Sequence, residues 1–461
     1  MRKTHDVIVI GGGSAGYAAA RTAQAAGADV AIVDQGPLGG LCILRGCMPT
    51  KAILRSAEVA ALLRRTKEFG FPAVDVRAEL SAIVDRKNRL VREFADYRIQ
   101  QLHDPKFMLY QSRATFRSPR EIVAGQTVLS ARSFIIATGS SPCDVSVPGL
   151  AGAGCLTSDS ILDLRVQPGS LLVLGGGPVA VEFGQFFARL GTKVTIIQRG
   201  RTVLSPMDED VGRALEAALR EDGIEVVTES ELLLVGHEDG RKSVRVKQQG
   251  REQVFAGEEI LQALGRHPNI SGLNLEAADV KVEEGRIVID GGMRTSQPHI
   301  YAVGDVNDLS PIVHLAIQQG EVAGYNATHP EQPPKEIDHR LDAEVVFTEP
   351  QVAVVGLNER MCRANGIPYL AASYPFADHG KALCRGDLHG FVKLLAAPSN
   401  GRLLGAQIVG PEAGELIHEL IAVMYFQGTA ADILRMPHYH PTLAEIITYP
   451  AESLVEQLGA A

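Results

Sequence analysis

Two glycine-rich turns, each set between a short apolar strand and a helix, constrain this chain more than any other feature. The first, Gly11-Gly12-Gly13-Ser14-Ala15-Gly16, follows the apolar run Val7 to Ile10 and opens an alanine-rich helical stretch from Ala15 to Ala26 that stops at Gly27. Asp29 to Val33 then reads as a second strand, giving a strand-turn-helix-strand unit. In that setting the G-x-G-x-x-G spacing is a dinucleotide fingerprint. Gly11 permits the tight turn, Gly13 lets the backbone approach a pyrophosphate, and Gly16 allows close helix-strand packing. Free N–H groups at the helix start, where Ser14 lies, face the anion. Asp34, about twenty residues on, is placed to accept hydrogen bonds from a ribose.

The same grammar returns mid-chain. Ser170 to Leu174 reads as a strand, Pro178 to Leu190 as a helix ended by Gly191, and Lys193 to Ile197 as the next strand. The turn between them, Gly175-Gly176-Gly177-Pro178-Val179-Ala180, fits G-x-G-x-x-A, with Gly175, Gly177 and Ala180 at the three key positions. Duplication of the unit points to two separate nucleotide cofactors. After the second unit, where an NAD site offers an acid, the chain has Gln198-Arg199-Gly200-Arg201. A carboxylate repels a 2′-phosphate and a guanidinium binds one bidentately, so this end favours NADP over NAD.

At 461 residues and 45% apolar content, the chain is long enough for about three domains. A net charge of -9 without any Lys/Arg run argues against a nucleic-acid partner. No apolar run reaches membrane-spanning length and no leader pattern precedes the first strand, which predicts a soluble cytoplasmic protein with no membrane partner. The stretch from Pro72 to Gln111 is charged and helix-prone, Pro142 to Gly154 reads as a linker, and His329 to Lys335 separates off a tail mixing strands with a helix at Ala413 to Phe426.

Of six cysteines, Cys143, Cys155, Cys362 and Cys384 are isolated, whereas Cys42 and Cys47 share the run Gly39-Gly40-Leu41-Cys42-Ile43-Leu44-Arg45-Gly46-Cys47-Met48-Pro49-Thr50-Lys51. A zinc site would need a second ligand pair at similar spacing, and none is placed for it, so no metal is expected. A loop this short can close into a disulfide, and Arg45 and Lys51 are expected to lower the thiolate pKa values. Spacing alone leaves two inert packing cysteines equally open. Near the end of the chain, His438-Tyr439-His440-Pro441-Thr442-Leu443-Ala444-Glu445 supplies what thiol-disulfide exchange needs: an imidazole to move a proton and a carboxylate to orient it.

Gly-Gly-x-Cys-x4-Cys-x-Pro-Thr-Lys resembles the active-site signature of the flavoprotein disulfide reductases, and the resemblance extends along essentially the whole chain. Ala137-Thr138-Gly139 is similar to the family's flavin-domain turn, Ala263 to Asn269, including Gly265, to its return segment, and Thr295 to Asp305 to its second flavin motif. His440-Pro441-Thr442-x-x-Glu445 resembles its acid/base dyad. The resemblance implies an α/β fold with two Rossmann-like domains and a C-terminal α+β dimerisation domain. The FAD-binding domain would span 1–145 with 268–335, the NAD(P)-binding domain 146–267 and the interface domain 336–461. It further implies that Gly40, Thr138, Gly139, Asp305 and His314 serve FAD, with Asp305 on the ribityl chain. Lys51 would lie near flavin N5 and pair with Glu182. Cys47 would be the flavin-side thiol and Cys42 the interchange thiol. His440, held by Glu445, would come from the partner subunit of a homodimer.

His314-Leu315-Ala316 and Gly405 to Leu416 look most like the dihydrolipoamide dehydrogenase branch, whereas Gln198-Arg199 departs from that branch's NAD-reading acid. Leu41 stands where the signature usually has Thr, and Ile43-Leu44-Arg45 lacks its common Asn. No cysteine follows Cys384, so the extra C-terminal thiol pair of mercuric reductases is absent. The expectation is therefore an FAD-dependent dithiol/disulfide oxidoreductase coupled to NADP or NAD. It would resemble dihydrolipoamide dehydrogenase and act on a small-molecule or lipoyl-domain disulfide. The alternatives are an NADPH-dependent reductase of glutathione or another small disulfide, and a thiol-independent flavin transhydrogenase or quinone reductase.

Overall fold

A computed structural model describes residues 2–459. The chain divides into two compact units, one of residues 1–52, 85–143 and 265–337, the other of 53–84, 144–264 and 338–461. The units divide after 143, 264 and 337. Residues 53–84 lie in the second unit, and the middle and tail segments form that one unit together.

The first unit is built on a sheet in which Phe107–Gln111, Val30–Asp34, Arg2–Ile10, Thr127–Ile136 and Ile300–Ala302 run parallel. Val7 pairs with Val30 and with Ser133, fixing the register. Strands covered on both faces read as continuous apolar runs, and Val7 to Ile10 are all 3% exposed or less. Glu121–Ala124 and Ala114–Ser118 extend the sheet antiparallel. The helix Ser14–Ala25 packs on Val313–Thr328, far along the chain. Their composition explains how closely. A Cβ on Gly320 would lie 2.2 Å from the Ala15 carbonyl oxygen, and one on Gly324 would lie 2.6 Å from that of Ala19. Only small residues let these two backbones meet.

In the second unit, Glu225–Val227, Lys193–Ile197, Ser170–Leu174 and Glu259–Gln262 form a parallel sheet. Its helix Pro178–Leu190 starts with Pro at the first turn, where a missing N–H costs nothing, and ends at Gly191 with φ +104°. A three-stranded antiparallel ribbon, Ser230–Glu238, Arg241–Gln248 and Arg251–Gly257, follows. The tail is a five-stranded antiparallel sheet ordered Ala343–Val346, Gln351–Gly356, Leu403–Gly410, Phe391–Ala396, Leu370–Pro375. Helices Ala413–Tyr425 and Thr448–Gly459 cover it with Ile417, Leu420 and Leu454. The chain is thus α/β, with two Rossmann-like folds and an α+β tail.

The stretch Pro72 to Gln111 differs from its expected helical character. Helix runs over Leu80–Leu102 only, and Phe107–Gln111 is an edge strand held by Val30–Asp34. No helix among the described residues is long and apolar enough to cross a membrane.

Candidate active site

Gly13 caps the helix Ser14–Ala25 without a side-chain hydrogen bond, so the first-turn N–H groups are left for an anion. Gly11 has φ +105°, and a Cβ there would lie 2.3 Å from the Ala137 carbonyl oxygen. One on Gly16 would lie 1.8 Å from that of Gly11. Asp34 accepts the Gly12 and Gly36 N–H groups at 2.6 Å on its two oxygens, which keep further lone pairs for hydroxyls. Gly40, with φ +79°, comes so close that its Cβ would be 2.7 Å from Gly13 Cα. The cysteine turn is therefore laid directly on the nucleotide turn.

Thr138 and Gly139 are tied to the return segment: Thr138 Oγ1 donates to the Asn269 carbonyl at 2.8 Å, and the Asn269 N–H donates to Gly139 at 2.9 Å. Beside them, Ser140 Oγ donates to Asp305 Oδ2 at 2.6 Å and accepts from Arg266 Nε at 2.8 Å. Gly265, with φ +102°, starts this segment by accepting the Cys143 N–H at 3.0 Å. His314 opens the helix Val313–Thr328. Bare backbone donors, a cradle that a Cβ would fill, and carboxylates at Asp34 and Asp305 fit a flavin dinucleotide. Gly16→Ala is expected to weaken FAD retention by at least about tenfold, because the clash is with backbone that has no rotamer to change. The check is the flavin-to-protein absorbance ratio after gel filtration.

The second turn repeats this geometry. Gly175 has φ +109° and its Cβ would lie 2.3 Å from the Ala263 carbonyl oxygen. Gly177 caps the helix without a side chain, with no atom within 4 Å of its Cβ position, and Ala180 is fully buried against the sheet. Gln198 takes the place of the acid. Its Oε1 accepts the Arg199 N–H at 2.9 Å, and its Nε2 donates to Ser205 Oγ at 3.2 Å and to the Thr202 carbonyl at 3.3 Å. Arg199 and Arg201 are exposed beside it. Glu182, 4% exposed, accepts the Phe347 N–H at 2.9 Å.

Cys42 lies in the single helical turn Leu41–Leu44, and Cys47 is the first residue of the helix Cys47–Arg64. Gly46 keeps the link short, since its Cβ would be 3.1 Å from Cys42 Cα. Both cysteines are free thiols, and their sulfurs share a hydrogen bond. That bond, followed by burial, pushes the Cys42 thiol well above its ordinary value, and the charge of Lys51 opposes the rise only weakly. The lowering expected from Arg45 and Lys51 is thus reversed for Cys42, because the neighbouring sulfur outweighs the cations. Lys51 lies one helical turn beyond Cys47, on the same face.

Arg98, unremarkable in the sequence, lies over the Tyr17 ring at 4.2 Å from its centroid. Its Nε and Nη1 are shut off from solvent and have no hydrogen-bond partner among the described residues. Burial lowers its pKa, and it interacts electrostatically with Cys42. Arg21, a second cation on the Tyr17 helix, is engaged instead by Glu321 at 2.9 Å.

In the tail, His440 Nδ1 meets both Glu445 oxygens, at 2.9 and 3.1 Å. Glu445 also accepts the Thr442 N–H at 3.4 Å at the start of the short helix Leu443–Ile447. Its hydrogen bond from His440 holds the carboxyl below the usual range. The His440 side chain is 79% exposed, so the rest of its ring is open to a reacting group. His438 differs, being buried against Glu419 at 2.9 Å. The cysteines and the first turn belong to one unit, and the second turn and the dyad to the other. Among the described residues, no group of three or more His, Cys, Asp or Glu could hold a metal ion.

Residues 5–320 match the family model described as pyridine nucleotide-disulphide oxidoreductase, and residues 343–451 match the dimerisation domain of the same family. A dihydrolipoyl dehydrogenase of Thermus scotoductus is 36% identical over 463 residues, spanning 99% of this chain and 98% of that protein. A mercuric reductase of Staphylococcus aureus is 33% identical, over 96% of this chain and 81% of that protein. Among solved structures, the HOCl-induced flavoprotein disulfide reductase RclA from Escherichia coli superposes with a TM-score of 0.85 at 25% identity, covering 97% of this chain and 99% of that one.

Proposed function

The chain belongs to the pyridine nucleotide-disulphide oxidoreductases, and from that premise we propose that it moves electrons between NADP and a dithiol/disulfide substrate through Cys42 and Cys47, as a dihydrolipoamide dehydrogenase-like enzyme. Membership implies FAD and a nicotinamide nucleotide. The observation that carries the proposal is the hydrogen-bonded dithiol on a turn seated against the first nucleotide turn through Gly40 and Gly13. FAD, when bound, supplies the exchange of hydride with the nicotinamide and of an electron pair with sulfur.

Cys47, at a helix N-terminus with Lys51 one turn on, is the flavin-side thiol. Cys42 attacks the substrate disulfide, releasing one substrate thiol. Cys47 then displaces the second, leaving a Cys42-Cys47 disulfide and the substrate dithiol. Cys42 keeps its proton tightly, so its attack needs a base. His440 and Glu445, from a second copy of the chain joined through the dimerisation domain, take that role.

Gln198, Arg199 and Arg201 support NADP: they put guanidinium groups and no carboxylate beside the nucleotide turn. Arg199→Ala is expected to lower kcat/KM for NADPH by about tenfold or more and to leave NADH within about twofold, read from steady-state rates. Equal rates with both nucleotides in the parent enzyme would remove this role. Arg98 favours a second possibility for the substrate. A buried cation with unpartnered N–H groups that interacts electrostatically with Cys42 suits a disulfide bearing carboxylates, which describes an NADPH-dependent reductase of glutathione or a similar small anion. A panel of lipoamide, oxidised glutathione and uncharged disulfides decides between them. Preference for lipoamide supports the first, and preference for the anionic disulfide the second.

A further inference from the structure

Lys393, in the tail strand Phe391–Ala396, is buried at 3% exposure, where an unpaired ammonium would be costly. Its Nζ lies 2.9 Å from Asp208, 2.8 Å from both oxygens of Asp210 and 3.1 Å from Glu359. Asp208, itself 4% exposed, also accepts the Gln407 amide and the N–H groups of Glu359 and Arg360, at 3.1 and 3.0 Å. Burial opposes both charges, and the hydrogen bonds outweigh it: those from Gln407 and Lys393 lower the Asp208 carboxyl, and those to Asp210 and Asp208 raise the Lys393 ammonium. The cluster plays no part in the thiol chemistry. It joins the tail to the segment that follows the second nucleotide turn.

What it holds is the strap 198–208. Arg360, on the surface, donates from Nη2 to the Pro206 carbonyl at 2.6 Å and from Nη1 to the Ser205 carbonyl at 3.2 Å. The Ser205 hydroxyl accepts the Gln198 amide at 3.2 Å, and the Gln198 carbonyl oxygen accepts the Arg199 N–H at 2.9 Å. Midway, the Leu204 N–H donates to Gly176 at 2.8 Å, and Leu204 is 1% exposed with φ +49°. A left-handed, buried leucine persists only where its surroundings impose it. The strap is therefore pinned to the nucleotide turn at its middle, through Leu204, and to the tail at its far end, through 205–208, with Arg199 and Arg201 on the stretch between Gln198 and Leu204.

We propose that Arg360, backed by the buried Lys393–Asp208 pair, is a positioning residue for the nicotinamide nucleotide, holding the strap so that Arg199 and Arg201 meet the 2′-phosphate. The proposal rests on the NADP assignment. It places part of the nucleotide selectivity in the tail, in residues that never touch the nucleotide.

The test uses the full-length, FAD-loaded enzyme with NADPH and NADH as variable substrates. Arg360→Met is expected to raise KM for NADPH about fivefold, the scale of one lost hydrogen-bonded contact, with kcat and the KM for NADH within about twofold. Arg360→Lys restores KM in part, and Ser205→Ala shifts KM in the same direction as Arg360→Met. Lys393→Met strands three carboxylates and is at risk of not folding; the exposed Arg360 site avoids that risk. An unchanged NADPH KM in Arg360→Met, or equal losses with both nucleotides, overturns the proposal provided Arg199→Ala does shift the preference. If Arg199→Ala leaves the preference intact, the NADP assignment falls and the positioning role falls with it.

Discussion

Cys42→Ser is expected to lower disulfide turnover by at least about a thousandfold, the scale on which loss of a nucleophile is felt, while dyes and quinones are still reduced. A hydroxyl is a far weaker nucleophile than a thiolate and cannot close a disulfide with Cys47. The flavin cradle does not depend on it. In the proposed site that cradle is Gly11, Gly13, Gly16 and Asp34, backbone and a carboxylate, and Gly40 reaches Gly13 without any contribution from the Cys42 side chain. Electrons should therefore still arrive from the nicotinamide and leave to acceptors that take them without sulfur. Reductive titration supplies an independent readout: the parent enzyme takes up an electron pair per subunit that the variant lacks. If the variant kept lipoamide and glutathione turnover within about tenfold, exchange at Cys42 would be excluded.

Much of this was legible from the sequence because its signals are local. The helix Pro178–Leu190 appears with both ends as read, since Pro at its start and Gly191 after its end are each tied to one backbone conformation. The two glycine turns were legible for the same reason, and the Gly11 and Gly175 Cβ positions meet the same obstacle at the same distance. Phe107–Gln111 carries its own mark, since Phe-Met-Leu-Tyr-Gln is uncharged, apolar and aromatic as strands are. The charged helix before it hides that signal when the whole stretch from Pro72 is read together, and its pairing with Val30–Asp34 is the long-range part. The direction of the Cys42 shift was lost for a related reason: neighbouring cations are visible in the sequence, whereas a thiol-thiol hydrogen bond is a fact of three dimensions. Arg98 and Lys393 show the limit most clearly. A single cation in an amphipathic segment reads the same whether solvated or buried, and Lys393 finds Asp208 at a separation of 185 residues.

His440→Gln is the second change with a large expected effect, a fall in disulfide turnover of about 10²- to 10⁴-fold, with NADPH-driven bleaching of the flavin left at its parent rate. The reason lies at Cys42. A thiol held protonated by its neighbour cannot attack until something takes the proton, and glutamine has no basic nitrogen to do so. Glu445→Gln should cost less, about ten- to a hundredfold, because the imidazole survives but loses the carboxylate that aims Nδ1. The pH dependence follows from the direction of the Glu445 shift. Its carboxyl is held below the ordinary value of 4.5 by the His440 hydrogen bond, so the stabilisation from that pair is fully present above the ordinary value and is lost as pH falls through the lowered one. Between about pH 5 and 8 Glu445 therefore stays charged, and Glu445→Gln should lower turnover across that whole window. Turnover left at the parent rate across that window would mean that His440 needs no carboxylate partner to accept the proton from Cys42, and that Glu445 serves only to hold the Thr442 turn.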